Sequence, residues 1–325
     1  MRKQIYRFAA CSLIAAALLF TACGKKTSEG PVSAAGQALE IPEAPAAAIQ
    51  AIVREIAKGN GAVLWQAMPE SYQNDVNEIA RLAGTKVDSE IYDQVFATIR
   101  RFAEVADKQK EYFFYTGLGA PPPEEEVDKL REAWPSFVNL INTLTSSAIA
   151  STGSLQSFDG KAFFAETVSS LLRDIDVLAK IKPDPDQPAI SEYCEAVVNY
   201  VNGSDGACTL EMVMPNGALQ VQDFIKVEGS WVPQDMATQW AAGMTRVRKQ
   251  LEAIDTSKLS PQKAQIMSLL VMIDSLISQL EAAETQEQFD QALQGALMPL
   301  MGLMMMGQGM GIDTPSGVPA MPVAP

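Results

Sequence analysis

Histidine is absent from this chain of 325 residues. That removes Ser-His-Asp and Cys-His nucleophile systems and every His-ligated metal site. Basic residues are few, with 25 Lys and Arg against 39 Asp and Glu, a net charge of −14. A surface of that sign repels phosphate backbones, so nucleic acid is not expected as a partner. Aromatics supply only 7% of the residues. A hydrolase working through two carboxylates needs no histidine, but this composition is thin for the aromatic-lined cleft that such enzymes use. What is present, 47% apolar residues and 20% charged, is enough to fold around a core.

Arg2, Lys3 and Arg7 open the chain without an acid, and an apolar run from Phe8 to Phe20 follows. Basic start, short apolar run and small residues before a cleavage point form the pattern of a secretory signal over residues 1–22. The run is too short to span a bilayer, which takes about 20 apolar residues. The stretch Leu19-Phe20-Thr21-Ala22-Cys23 resembles the lipobox of bacterial lipoproteins, with Phe20 where that family usually carries Leu. The resemblance implies that Cys23 is the lipid-attachment residue, diacylated on sulfur and acylated on its new N-terminus after cleavage. It also implies a membrane partner reached through acyl chains. Gly24 and Lys25, rather than Asp, follow the Cys, and the resemblance to diderm lipoproteins then implies the outer membrane, facing the periplasm. Loss of residues 1–22 leaves 22 basic against 39 acidic residues, a charge of −17. Such a body is not drawn to an anionic leaflet, so lipid chains at about 0.8 kcal/mol per buried CH₂ must hold it.

The four cysteines fit that compartment. Cys11 falls in the signal and Cys23 is the acylation residue, leaving Cys194 and Cys208. An even pair in an oxidising space reads as one disulfide, closing a loop worth roughly 3 kcal/mol on the chain-entropy account. Two free thiols is the alternative.

Residues 23–45 read as an acylated Cys and flexible tether, rich in small residues, Pro and Gly. Residues 46–182 carry helical periodicity. Asp88 is a plausible N-cap for a helix presenting Ile91, Val95, Ile99, Phe102 and Val105. Glu124, Glu125 and Glu126 follow a Pro triplet and complement a helix dipole; Leu130, Trp134, Val138 and Ile141 share a face of that helix, with a kink expected at Pro135. Asp159 is expected to cap a helix with Phe164, Val168, Leu171, Ile175 and Leu178 inward.

Residues 183–300 begin with an acidic linker, 183–188, and then switch to period two between 192 and 233. Leu219, Val221, Asp223, Ile225 and Val227 fall on one side, and Gln220, Gln222, Phe224 and Lys226 on the other. Asn202-Gly203, Asn216-Gly217 and Glu228-Gly229 stand at hairpin spacing, so three or four antiparallel strands are expected. The stretch from Phe224 to Pro233, with its Lys-Val-x-Gly-x-Trp order, resembles the closing hairpin of many small exported α+β domains. Helices follow, capped at Asp235 (Trp240, Met244, Val247, Leu251 and Ile254), opened by Ser260-Pro261 (Ile266, Leu269, Ile273, Leu276 and Leu280), and boxed by Thr285 and Gln288 (Phe289, Leu293 and Leu297). Residues 301–325 read as a Met-, Gly- and Pro-rich disordered tail. The expected class is α+β, mainly α.

Short motifs carry little chemistry. Ser260-Pro261-Gln262-Lys263 fits S-x-x-K, the nucleophile motif of penicillin-binding proteins, yet no K-T-G follows and Ser-Pro is an ordinary helix start. Gly307-x-Gly309-x-Gly311 lacks the strand and helix of a phosphate-cradling loop. Asp174 and Asp176 lie two apart on a helix and face different directions; Asp184 and Asp186 lack the ligand count of a calcium loop. The unusual feature is methionine: Met298, Met301, Met304, Met305, Met306 and Met310 cluster, interleaved with Leu297, Leu300 and Leu303. That cluster reads first as an apolar packing or contact surface, then as soft Cu(I) ligands, then as membrane contact. The expectation is a lipid-anchored cell-envelope protein with a non-enzymatic binding or assembly role, its partner an envelope protein or small ligand. Periplasmic copper handling is the alternative, and a carboxylate hydrolase the third. No catalytic residue, metal ligand or cofactor is assigned.

Overall fold

Prolines and capping residues punctuate the helices of this chain, and the computed structural model describes them over residues 40–116, 123–181, 188–255 and 260–295. In chain order the helices are α1 (Pro45–Ala57), α2 (Ala62–Ala67), α3 (Glu70–Lys86), α4 (Ser89–Lys108), α5 (Lys110–Phe114), α6 (Glu124–Ser146), α7 (Thr152–Gln156) and α8 (Gly160–Phe163). A π turn (Phe164–Val168) joins α8 to α9 (Ser169–Ile181). A 3₁₀ turn (Ile190–Glu195) leads into β1 (Val197–Ser204), β2 (Ala207–Val213), β3 (Leu219–Val227) and β4 (Ser230–Pro233). Helices α10 (Gln234–Glu252), α11 (Ser260–Ala282) and α12 (286–295) follow. The strands form one antiparallel sheet in the order β1-β2-β3-β4, so the class is α+β, mainly α.

Several starts follow the sequence. Asp88 accepts hydrogen bonds from the Glu90 and Ile91 amides and opens α4; Asp159 does the same for Lys161 and Ala162. Such caps satisfy amides that the first turn leaves unpaired. Asp235 does not cap α10: Pro233 stands at that N-cap and Asp235 lies in the first turn. Helix α6 runs on through Pro135. At α12 the Thr285 hydroxyl accepts from the Gln288 amide at 3.3 Å, and Gln288 Oε1 accepts from the Glu284 amide at 2.9 Å.

The largest core cluster gathers Leu64, Trp65, Met68, Tyr72, Leu155 and Phe163 with Val232 and Trp240. Tyr72 and Trp240 stack with ring centroids 4.1 Å apart, and Trp240 Nε1 donates to Asp75, so α10 is held on α3. At the centre α2 meets the π turn. The Gly61 amide donates to Ser169 Oγ at 2.7 Å in a buried position, and Trp65 lies against Gly160 where a side chain would stand.

Helix α9 corrects one expectation. Phe164 and Val168 are buried as anticipated, but Ile175 is 41% exposed and Asp174 is buried instead. Asp174 faces α6, where Asn139 donates to its carboxylate, and that contact selects the buried side. In α11 Leu280 is buried as expected, but so are Leu270 and Ile277, while Ile266 is exposed. There the sequence is apolar on several sides, and only contact with α4 selects a face.

A Cβ at Gly61 would stand 2.5 Å from the Phe164 carbonyl oxygen and 2.7 Å from the Ser169 nitrogen, both backbone atoms, whereas one at Gly243 in α10 meets nothing within 4 Å. Gly61→Ala is therefore expected to destabilise by about 1–3 kcal/mol, and Gly243→Ala to stabilise by about 0.5–1 kcal/mol. Urea midpoints of the two variants check both signs.

Candidate binding surface

The sheet has two unlike faces. One packs on α1, where Ile49 and Ile52 meet Val198, Cys208, Leu210 and Phe224. Alternation then sends the intervening residues to the opposite side. Register sets Val197, Val213 and Leu219 in one row and Asn199, Glu211 and Val221 in the next. On that outer face Val197 is 48%, Leu219 62% and Val221 58% exposed. Glu211 lies in the patch and Asp223 beyond it, the latter accepting a hydrogen bond from the Thr209 hydroxyl at 2.7 Å. Nearer β4 the same side of the sheet is covered, since Val227 and Val232 join the core beside Trp240.

Strand β1 is the outer edge. Gln50 of α1 closes its start, with Nε2 donating to the Ala196 carbonyl at 2.8 Å and Oε1 accepting from the Val198 amide at 2.9 Å. Past that clamp a bulge interrupts the register between Tyr200 and Asn202, leaving Val201 without a partner in the β1–β2 register. Tyr200 and Val201 are both more than half exposed. An apolar patch next to an edge strand, on a strongly acidic chain, is the kind of surface that marks a contact site.

The sequence resolved the two sides of β3 but not which one is inward. Leu219 and Val221 belong to the more apolar side, yet Phe224 of the other side is buried. Helix α1 decides it, because its own apolar stripe lies over Phe224. The first hairpin also differs: β1 continues through Asn202-Gly203, and the turn falls at Asp205-Gly206 with Gly206 at φ +87°. The second and third turns stand as expected, Gly217 at φ +79° and Glu228-Gly229 at φ +49° and +89°. Two consecutive positive values match the twist of the flanking strands. In that closing hairpin Lys226 lies over the Trp231 ring, 5.8 Å from its centre.

The residues singled out in the sequence are not brought together. Cys194 and Cys208 are free thiols, one exposed in the 3₁₀ turn and the other buried under α1. The expected disulfide is not formed, since Cys208 pairs with Gly203 across the hairpin and Cys194 precedes the strand altogether. Burial and then the nearby Asp223 raise the Cys208 thiol above its ordinary range.

Lys263 of the S-x-x-K stretch is engaged structurally. Its ammonium lies 3.0 Å from Asp88 and 2.7 Å from Glu90, tying α11 to the start of α4. Asp174 accepts from Asn139 Nδ2 at 2.6 Å, and burial raises its carboxyl. Asp176 instead accepts from the Ser191 amide and pairs with Lys180 at 2.8 Å. The two carboxylates serve different neighbours. Among the described residues no group of three Cys, Asp or Glu is placed to hold a metal ion. Cys11, Cys23, Asp184, Asp186, the methionine cluster and Gly307 to Gly311 lie outside the described residues. Compared with family models, curated proteins and solved structures, the chain shows no significant match to any of them.

The Ile91 amide, then Lys263, hold the Asp88 carboxyl below its ordinary value. A group depressed in the folded state contributes stability that is full above its unfolded value, near 4, and is lost as pH falls through the folded one. Asp88→Asn keeps a capping oxygen and loses that titration. Its urea midpoint is expected to decline less between pH 5 and pH 3 than that of the unchanged chain; equal slopes would contradict this role.

Proposed function

We propose that this protein is a cell-envelope lipoprotein, held at the membrane by acyl chains on Cys23, that works by binding or assembly rather than by catalysis. The order of residues 1–25 supports the anchor: basic start, apolar run, small residues, then Cys23, Gly24 and Lys25. The observation that carries the binding role is the outer sheet face, where Val197, Leu219 and Val221 are all about half exposed or more. A lone exposed Leu means little, but neighbouring apolar residues across three strands form a contiguous patch. The partner is an envelope protein or ligand that presents an apolar face of its own.

Mass spectrometry of the membrane-extracted protein should find an N-terminal Cys23 peptide carrying fatty acyl groups. A photo-crosslinker at Leu219 in intact cells should trap a discrete product, and the same probe at exposed Gln239 should not. An unmodified leader defeats the anchor, and equal trapping at both positions defeats the assigned surface.

A second reading rests on the six methionines between Met298 and Met310, because thioethers select Cu(I). Anaerobic Cu(I) titration separates it from the first: changing those six residues to Leu should leave copper affinity unchanged if the role is apolar contact, and abolish it if the role is metal handling.

A further inference from the structure

The four strands hold two acids, Glu211 and Asp223, and one base, Lys226. Lys226 lies on the α1 side of the sheet, over the Trp231 ring. The two acids lie on the other side. Glu211 stands opposite Asn199 and Val221, and Asp223 opposite Thr209. Residues directly opposite in a ladder share a face, so both carboxylates belong to the outer side with Val197, Leu219 and Val221. They are diagonal neighbours on β2 and β3, roughly 7–8 Å apart. The Asp223 carboxylate accepts from the Thr209 hydroxyl at 2.7 Å. Among the described residues neither carboxylate is paired with a cation.

Helix α10 roofs part of the same face. It packs on β3 and β4 and joins Trp240 to Val227 and Val232. Beside it the face over β1, β2 and the start of β3 is open, and it is graded along the strands. Val197, Val213 and Leu219 make an apolar row, Glu211 lies in the next row and Asp223 in the one after. Two residues of strand advance about 7 Å, so the two acidic rows stand about 7 and 14 Å from the apolar one. Charge then decides the kind of occupant. A second copy docked about a two-fold axis would set this patch against itself, and four carboxylates would meet with no cation on the face between them. An anionic leaflet is repelled for the same reason.

We propose that the open part of this face takes a cationic amphipathic helix of another protein, laid beside α10, with its apolar stripe on Val197, Val213 and Leu219 and a Lys or Arg between Glu211 and Asp223. A helix in that place continues the layer that α10 begins. Helical residues four and seven apart are about 6 and 10 Å apart along the axis, which spans the step from the apolar row to the carboxylates. Exclusion of water by the apolar row strengthens the charge contact next to it. The assignment rests on the outer face being the contact surface, as proposed above, and adds the chemistry of the partner.

Two designed helical peptides test this on the purified protein, one with a Leu stripe flanked by Lys and the other with Glu in place of each Lys. The Lys peptide should bind and the Glu peptide should not. Glu211→Gln with Asp223→Asn should weaken the Lys peptide about tenfold, and Leu219→Ser should weaken it too. Glu124→Gln with Glu126→Gln, which removes two exposed charges from α6, should leave it within about twofold. Equal losses from the two acid pairs, or binding indifferent to Leu219, overturn the assignment, because the attraction is then non-specific. In intact cells, Glu211→Lys with Asp223→Lys should abolish the product trapped by a photo-crosslinker at Leu219. A product kept in full leaves the contact surface standing and overturns the cationic partner. A product within one chain, or of two copies, overturns it in favour of that occupant. No product from either chain defeats the surface itself, and the cationic partner with it.

Discussion

One close backbone approach organises the helical part of this molecule. Gly61 lies against the π turn between α8 and α9, with its amide on Ser169 Oγ and with the Phe164 carbonyl where a Cβ would stand. In α9, which that turn leads into, Asp174 rather than Ile175 is buried. Asn139 of α6 then meets a carboxylate instead of an aliphatic side chain.

The sheet depends on α1 in a comparable way. Ile49 and Ile52 cover Phe224 and Leu210, while Gln50, between them in sequence, supplies to β1 the hydrogen bonds that a further strand would otherwise make. The clamp ends at Val198, and beyond it the edge is bulged and its side chains are exposed. The clamp confines pairing with a further strand to the far end of β1, while the outer face at Val197, Leu219 and Val221 stays exposed. For a body that carries excess negative charge, apolar burial is the favourable term available to such a contact, because long-range attraction would require a basic partner.

Much of the architecture was legible from residue order. Asp88, Asp159 and Thr285 mark helix starts because a short polar side chain before an apolar stripe has few other local uses. Asn216-Gly217 and Glu228-Gly229 mark turns because their backbones need positive φ. The first hairpin was missed since Asn202-Gly203 and Asp205-Gly206 offer the same local chemistry, and pairing of β1 with β2 chooses between them. The candidate surface was half legible: alternation separated Leu219 and Val221 from Phe224, but nothing within 219–227 says which side α1 will cover.

The sequence by itself determined the element types, the mainly helical class with one antiparallel sheet, the acidic surface and the exclusion of histidine chemistry, all of which depend on composition or on spacings of a few residues. Tertiary structure alone decided that Lys263 serves Asp88, that Cys194 and Cys208 stay apart, that Asp174 turns inward and that Leu219 turns out. Each of these is set by contact between segments distant in the chain. Neither local propensity nor periodicity carries that information, because both are blind to which neighbour arrives.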